Sequence, residues 1–169
     1  LKERGCNVVA ISDISGGYYD EKGIDIGKAI QYRNENKGTL DGFKGATRIS
    51  NEELLSLDVD VLIPAALENA ITEKNVNSIK AKVIVEGANG PTSHEADSII
   101  EEKGIVAVPD ILANAGGVIV SYFEWVQNRL GFKWTKNRVY RRSDSIIKQS
   151  FNNVFSISKK YKVSLRTAA

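Results

Sequence analysis

Two asparagines follow apolar runs at positions where an amide side chain could bind a ligand. Asn89 lies in the loop at residues 86–90, after the run at residues 82–85, and Asn114 follows the run at residues 105–108. Such runs predict buried parallel strands. In open α/β sheets the ligand crevice lies outside the carboxyl ends of the strands, and glycines beside the asparagines let the backbone come close. We therefore predict that Asn89 and Asn114 lie on one rim of the sheet and share a ligand.

Asp13 is another candidate, because it follows an apolar run at residues 7–12. In a dinucleotide-binding βαβ unit, a carboxylate after the second strand accepts hydrogen bonds from the adenosine ribose and repels a 2′-phosphate, so Asp13 favours NAD over NADP. An ordinary Asp at a strand-to-turn junction is the alternative interpretation. The unit's first strand and its G-x-G-x-x-G turn are not in the sequence. We expect them before Leu1, where they would supply the phosphate-binding amides.

Ala65 and Ala66 follow a third apolar run, at residues 59–63. Two adjacent alanines leave a shallow apolar surface that suits a planar ring. Close packing of the loop explains the same pair equally well, so the sequence leaves both interpretations open.

Composition excludes several classes of function. The chain has 169 residues with a formal net charge of +2, which is too balanced to indicate a nucleic-acid partner. No apolar run reaches the roughly 20 residues of a membrane span, so we predict a cytoplasmic protein without a membrane partner. Cys6 is the only cysteine and His94 the only histidine, so no metal site is predicted. We expect Cys6 to pack at the start of a strand and His94 to lie at the surface or cap a helix.

The remaining elements follow from periodicity and capping signals. Asp25 and Ser50 are predicted N-caps, and Thr92-Ser93-His94-Glu95 has the form of a capping box. Residues 15–19 predict a turn and residues 38–49 an extended excursion, whereas residues 117–130 and 137–161 predict two long helices. The apolar stripe of the second long helix needs a surface to bury against. Basic residues between Lys133 and Arg142 indicate a solvated or helix-packing surface rather than an anion contact.

Four motifs carry a family resemblance. They read PAALEN at residues 64–69, EGANGPT at 86–92, PDILANAGGV at 109–118 and SYFEW at 121–125. Together, and in this order, they resemble the glutamate dehydrogenase family, which includes leucine, phenylalanine and valine dehydrogenases. The resemblance implies reversible NAD- or NADP-dependent oxidative deamination of L-glutamate to 2-oxoglutarate and ammonia, in a homohexamer. Ser93-His94 stands where relatives often carry Thr-Pro, which changes a surface turn.

The resemblance also implies a fold and its domains. The fold class is α/β, with a Rossmann-type, doubly wound, mostly parallel sheet that lacks its first strand and is followed by C-terminal helices. Residues 1–117 would form a partial dinucleotide-binding domain. Residues 118–169 would form a helical segment that packs on this domain and faces a substrate domain. Without the missing central strand, two strands would have unpaired edges, so we expect residues 1–169 alone to fold poorly and to be inactive.

By position, the resemblance places Asp13 at the adenosine ribose and both Ala65 and Ala66 beside the adenine. Asn89 would meet the nicotinamide ribose, and Asn114 would hold the nicotinamide and face the substrate. The substrate pocket would receive Val118 and Ser121, with Ser121 bonding the glutamate side-chain carboxylate. The family's catalytic lysine and aspartate lie outside these residues, so no catalytic residue is expected here. A leucine, phenylalanine or valine dehydrogenase and a non-catalytic nucleotide-binding module are the alternatives.

Overall fold

Two compact units, each with its own three-stranded sheet, make up the chain. The computed structural model describes all of residues 1–169. Unit 1 comprises Leu1–Asp58 and Ser78–Lys80, and unit 2 comprises Val59–Asn77 and Ala81–Ala169. The chain is therefore α/β, and its parallel sheet lies in unit 2. The predicted domain boundary between residues 117 and 118 falls inside unit 2.

The sheet of unit 1 is antiparallel. It consists of β1 (Ala10–Asp13), β2 (Gly16–Tyr19) and β3 (Thr47–Ile49), with Ala10 opposite Tyr19 and Gly17 opposite Ile49. The turn predicted at residues 15–19 was wrong, because this segment is the central strand of the sheet. Two adjacent glycines suggested a turn, but Gly17 serves close packing. A Cβ at Gly17 would lie 3.0 Å from the Ile49 side chain and 3.1 Å from the Ser50 carbonyl oxygen.

Aromatic packing stabilises the core of unit 1. The rings of Tyr18 and Phe43 meet edge to face with their centroids 5.8 Å apart, and Ile24, Ala29 and Leu40 complete the buried cluster. Such an aromatic pair contributes about 0.5–1.5 kcal/mol beyond the burial of its surface.

The N-caps predicted in unit 1 are confirmed. Asp25 accepts a hydrogen bond from the Lys28 amide at the start of α1 (Ile26–Glu35). Ser50 and Glu53 form a reciprocal capping box at the start of α2 (Asn51–Leu55). The short 3-10 helix Lys2–Arg4 precedes these elements, and Cys6 follows it. The expectation that Cys6 packs at the start of a strand was wrong, because its side chain is exposed.

The sheet of unit 2 confirms the predicted parallel strands. β4 (Val61–Leu62), β5 (Val83–Val85) and β6 (Val106–Val108) lie side by side in this order. Each is shorter than its apolar run. Ile84, the central residue of β5, is fully buried, which is the environment that makes such runs continuously apolar.

Helix α3 (His94–Glu102) connects β5 to β6, and its cap differs from the prediction by one residue. The Ser93 side chain accepts a hydrogen bond from the Ala96 amide, whereas the Thr92 hydroxyl is buried and makes no hydrogen bond. The predicted capping box was therefore placed one residue too early. Thr92 and Ser93 are both favourable N-cap residues, and the sequence alone does not show which of them begins the helix. His94 is exposed, as predicted.

Four helices follow β6. They are α4 (Asp110–Ala113), α5 (Gly116–Leu130), α6 (Lys136–Tyr161) and α7 (Leu165–Ala168). The two long helices confirm the predictions for residues 117–130 and 137–161, whereas α4 and α7 were not predicted. Gly131 ends α5 in a left-handed conformation with φ of 72°. None of the helices is long and apolar enough to cross a membrane.

The long helices leave much apolar surface uncovered. No residue of α6 is buried, and its predicted stripe stays partly exposed at Ile146, Phe151 and Phe155. The basic residues near the start of α6 pack as predicted for a helix surface. Arg138 and Arg142 both lie over the Trp134 ring, 4.6 and 4.7 Å from its centroid.

Candidate functional site

Asn89 and Asn114 touch each other at the carboxyl-end edge of the parallel sheet. β5 and β6 are adjacent, with Val85 opposite Val108, so the loops that follow them emerge at the same edge. The Asn114 Nδ2 donates a hydrogen bond of 2.6 Å to the Asn89 Oδ1. The prediction that both side chains lie on one rim is confirmed. Their role towards a ligand stays a prediction.

The bonded pair still has hydrogen-bonding atoms to offer a ligand. The shared bond uses one hydrogen of Asn114 Nδ2 and the Oδ1 of Asn89. It leaves the Nδ2 of Asn89 as a double donor and the Oδ1 of Asn114 as an acceptor. Asn89 is exposed and Asn114 is half-buried, so both can be reached from solvent. A donor beside an acceptor matches a carboxamide or a pair of ribose hydroxyls.

Backbone bonds hold the loop after β4 against the loop after β5. The Ala88 amide donates to the Pro64 carbonyl at 2.9 Å, and the Asn69 amide donates to the Gly90 carbonyl at 2.9 Å. Gly87 permits this approach, because a Cβ at Gly87 would lie 3.0 Å from the Ala65 Cβ. The loops therefore form one continuous surface beside the asparagine pair.

Ala65 and Ala66 are both exposed on the loop after β4. Ala65 packs closely against Gly87, as the close-packing interpretation predicts for this residue, and yet both alanines remain exposed. The exposed methyl groups leave a shallow apolar surface, which is one of the two interpretations that the sequence left open, and its ligand stays a prediction.

Val118 and Ser121 lie one turn apart on α5, close in sequence to Asn114. Residues three apart share a face of a helix. Val118 is 76% exposed, and Ser121 is also exposed, so that its hydroxyl is open to solvent. A branched apolar side chain and an exposed hydroxyl therefore lie on one face of α5, the helix that follows Asn114 in the sequence.

Asp13 ends β1 in unit 1, where it bonds to its own unit. Its Oδ1 accepts hydrogen bonds from the amide and hydroxyl of Ser15, and its Oδ2 accepts one from the Leu40 amide at 2.7 Å. Burial raises the pKa of Asp13, but the bonds from Ser15 and Leu40 outweigh it, so the pKa lies below its ordinary value. Since a carboxylate has about four acceptor positions, little capacity remains for ribose hydroxyls.

A buried charge network behind the asparagine pair was missed by the sequence analysis. The Glu86 carboxylate at the end of β5 is fully buried. Its Oε1 accepts a hydrogen bond of 2.6 Å from Nη2 of Arg166 in α7, and the Arg166 Nε bonds Asp97 at 2.8 Å. The only sequence signal was an acidic residue directly after an apolar strand. Its partner, Arg166, lies 80 residues later in the sequence, so no local sequence pattern could indicate the pair.

Within this network the pKa values of Arg166 and Asp97 both lie above their ordinary values. Burial lowers the pKa of Arg166, but the bonds and charges of Glu86 and Asp97 outweigh burial, so the pKa lies above its ordinary value. Burial raises the pKa of Asp97, and the nearby charges of Glu86 and Glu101 raise it further, which Arg166 only partly offsets. Arg166 is therefore a fixed cation between two carboxylates of different burial.

A groove between α3, β6, α6 and α7 also lies in unit 2, and Asp97 and Arg166 of the charge network are among the residues that line it. Phe155, Lys159 and Leu165 are among the residues that line it, whereas Asn89 and Asn114 are not. The asparagine pair thus lies on an open rim and not inside this groove.

With the rim described, the chain can be compared with known proteins. All of residues 1–169 match the model of the Glutamate/Leucine/Phenylalanine/Valine dehydrogenase family. The chain belongs to this family.

Characterised relatives carry more specific names. The chain is 52% identical over 168 residues to a glutamate dehydrogenase of Thermotoga maritima, which spans 99% of this chain and 40% of the relative. It is 46% identical over 169 residues to a cryptic catabolic NAD-specific glutamate dehydrogenase of Bacillus subtilis, and this match covers 100% of this chain and 39% of the relative. It is 49% identical over 153 residues to an NADP-specific glutamate dehydrogenase of Halobacterium salinarum, and this match covers 90% of this chain and 36% of the relative. The chain thus spans about 40% of the length of these relatives.

A solved structure shares the fold. The hetero-hexameric glutamate dehydrogenase of Thermus thermophilus, in its leucine-bound form, superposes with a TM-score of 0.89 at 28% identity. The match covers 99% of this chain and 39% of that one.

Proposed function

We propose that the chain is the cofactor-binding part of a glutamate dehydrogenase, which converts L-glutamate reversibly to 2-oxoglutarate and ammonia with NAD or NADP. The observation that carries this proposal is the bonded pair of Asn89 and Asn114 at the carboxyl ends of two adjacent parallel strands. Ligands of open α/β sheets bind at this edge. Membership of the family supports the same reaction.

The rim suits a nicotinamide dinucleotide. When bound, this cofactor supplies the hydride donor or acceptor. In the proposal, Asn89 Nδ2 donates to the nicotinamide ribose, and Asn114 Oδ1 accepts from the carboxamide and turns the ring towards the substrate. Ala65 and Ala66 lie under the adenine, where two methyl groups suit a flat ring. The close approach of Gly87 to Ala65 keeps this surface shallow. In this proposal residues 1–117 form part of a Rossmann-type, doubly wound dinucleotide-binding domain.

Asp13 is proposed to meet the adenosine ribose, as its place after β1 suggests. The position of its carboxylate is fixed by Ser15 and Leu40, so it would accept from at most one ribose hydroxyl. A fixed negative charge disfavours a 2′-phosphate, which favours NAD. The chain has relatives named for each cofactor, one NAD-specific and one NADP-specific, so the choice rests on Asp13 and needs a direct measurement.

Val118 and Ser121 are proposed to enter the substrate pocket. The Ser121 hydroxyl donates to the side-chain carboxylate of glutamate, and Val118 excludes water beside it. A lysine and an aspartate elsewhere in a longer protein would transfer the protons, so residues 1–169 alone would be inactive. A homohexamer in the cytoplasm completes the proposal. One solved relative is named as a hetero-hexamer, which supports a hexameric assembly.

The test is cofactor binding and turnover by the natural full-length protein. Fluorescence titration should give binding of NADH or NADPH, and oxidation of L-glutamate should exceed that of leucine, phenylalanine and valine by at least about tenfold in kcat/KM. Preference for a branched-chain or aromatic amino acid would assign the chain to another branch of the family. Binding of cofactor without turnover of any amino acid would identify a nucleotide-binding module. Absence of cofactor binding would reject the proposal.

A further inference from the structure

The buried Glu86 carboxylate connects two parts of the rim. Its Oε1 accepts from Arg166 Nη2 at 2.6 Å, and its Oε2 accepts from the Asp110 amide at 2.9 Å. Glu86 lies three residues before Asn89 in the same loop, and Asp110 is the first residue of the helix whose C-cap is Asn114. The Glu86 carboxylate therefore connects the segment that carries Asn89 to the segment that carries Asn114.

Asp110 extends this connection back to the loop after β5. Its Oδ2 accepts a hydrogen bond of 2.8 Å from the amide of Gly90, the residue after Asn89. Its Oδ1 accepts from the Ile111 amide at the first turn of α4. The chain of bonds runs from Arg166 to Glu86, then to Asp110 and Gly90. It cross-links the two loops below the contact between the asparagine side chains.

Arg166 is the only cation in this chain of bonds. Glu86 is fully buried, and a buried carboxylate that loses its cation is strongly destabilised, so the removal of Arg166 should displace the Glu86 side chain. Such a displacement alters the acceptor offered to the Asp110 amide. The Arg166 side chain is 33% exposed and is also held by Asp97, so its orientation is set on two sides.

We propose that Arg166 is a positioning residue for the cofactor rim: by holding Glu86, it sets the separation of the loops that carry Asn89 and Asn114. The inference rests on the proposed function, because it assigns Arg166 to the same binding surface. Arg166 itself does not touch the cofactor. A displacement of about 1 Å in a supporting group can cost 10- to 100-fold in binding or rate.

The test compares three variants of the full-length protein. Arg166→Met removes the cation and should raise the Kd of the preferred reduced cofactor about 10- to 100-fold. Combining Glu86→Gln with Arg166→Met removes the buried charge but keeps an acceptor for the Asp110 amide. This double variant should therefore recover most of the affinity. Arg141→Met removes an exposed arginine of α6 as a matched control and should leave the Kd unchanged.

Hydrogen exchange supplies a second readout without cofactor. In Arg166→Met, residues 87–90 and 110–114 should exchange faster, whereas Arg141→Met should exchange like the wild type. If Arg166 merely anchors α7, the double variant will bind as weakly as Arg166→Met, which overturns the inference. Unchanged cofactor binding and exchange in a folded Arg166→Met also overturn it. Wild-type protein that binds neither cofactor rejects the proposed function itself, and the inference with it.

Discussion

Asn89 and Asn114 lie 25 residues apart in sequence, yet their side chains share one hydrogen bond of 2.6 Å. The bond orients both amides, because Asn114 must present its nitrogen to Asn89 and therefore turns its oxygen away. Each side chain thus determines what the other can offer a ligand. Two loops that follow different strands are therefore coupled at this point by a side-chain hydrogen bond.

This coupling predicts non-additive effects of mutation. Asn89→Ala and Asn114→Ala should each weaken cofactor binding by about 0.5–1.5 kcal/mol or more, the usual net value of a hydrogen bond. The double variant should lose less binding free energy than the sum of the two single losses, because either single change already disorients the remaining amide. The Kd values of a double-mutant cycle measure this coupling. Strictly additive losses would show that the two amides act independently. Asn34→Ala, on an exposed face of α1, is the control.

A second prediction concerns Gly87. Gly87→Ala places a Cβ 3.0 Å from the Ala65 Cβ, which forces the neighbouring loops apart. We expect weaker cofactor binding and a loss of stability of about 1–3 kcal/mol, typical of overpacking. Gly27→Ala in α1 is the matched control, since its nearest neighbour would lie at 3.4 Å and alanine favours a helix. Titration with NADH and thermal unfolding of both variants measure the contrast, and equal behaviour of the two would contradict the prediction.

Ser121 provides a third prediction, for the substrate. Ser121→Ala removes a hydroxyl that is exposed in the structure. If it donates to the glutamate carboxylate, the loss should be about 1.5–3 kcal/mol, or roughly 10- to 150-fold in KM for glutamate. The KM for the cofactor should change little. Steady-state kinetics with each substrate varied in turn separate these effects, and equal changes in both KM values would remove Ser121 from the substrate pocket.

The fourth prediction follows from the lowered pKa of Asp13. The folded protein binds this proton less tightly than the unfolded chain, whose Asp pKa is about 3.9. The ionised carboxylate therefore stabilises the fold above that value, and the contribution is lost as the pH falls through the folded pKa. Asp13→Asn should lower the urea midpoint at neutral pH, and the gap to wild type should narrow towards about pH 3. A gap that is constant or widens with acid would contradict this assignment.

The parallel sheet and its rim could be predicted because their signals are local. Continuous apolar runs predicted the strands around Ile84 and Ala107, and their parallel pairing placed Asn89 near Asn114. Capping residues predicted the starts of α1 and α2 for the same reason, since a cap and its amide partner lie within three residues.

The features that were missed depend on distant partners. β2 contains Gly16 and Gly17, which favour a turn, but pairing with β1 and β3 overrides that preference. The link from Glu86 to Arg166 has no periodic or motif signal, because it joins the end of a strand to a four-residue helix near the end of the chain. Packing decides such contacts, and only coordinates reveal them.

The placement of Cys6 and the two tryptophans gives each unit a spectroscopic reporter of its own. Cys6 is the only thiol of these residues and is open to solvent in unit 1, whereas Trp125 and Trp134 both belong to unit 2. A maleimide dye would attach within these residues at one position, without any engineered cysteine. Its emission would then report on unit 1, and tryptophan emission on unit 2, as a nucleotide is added to the same sample.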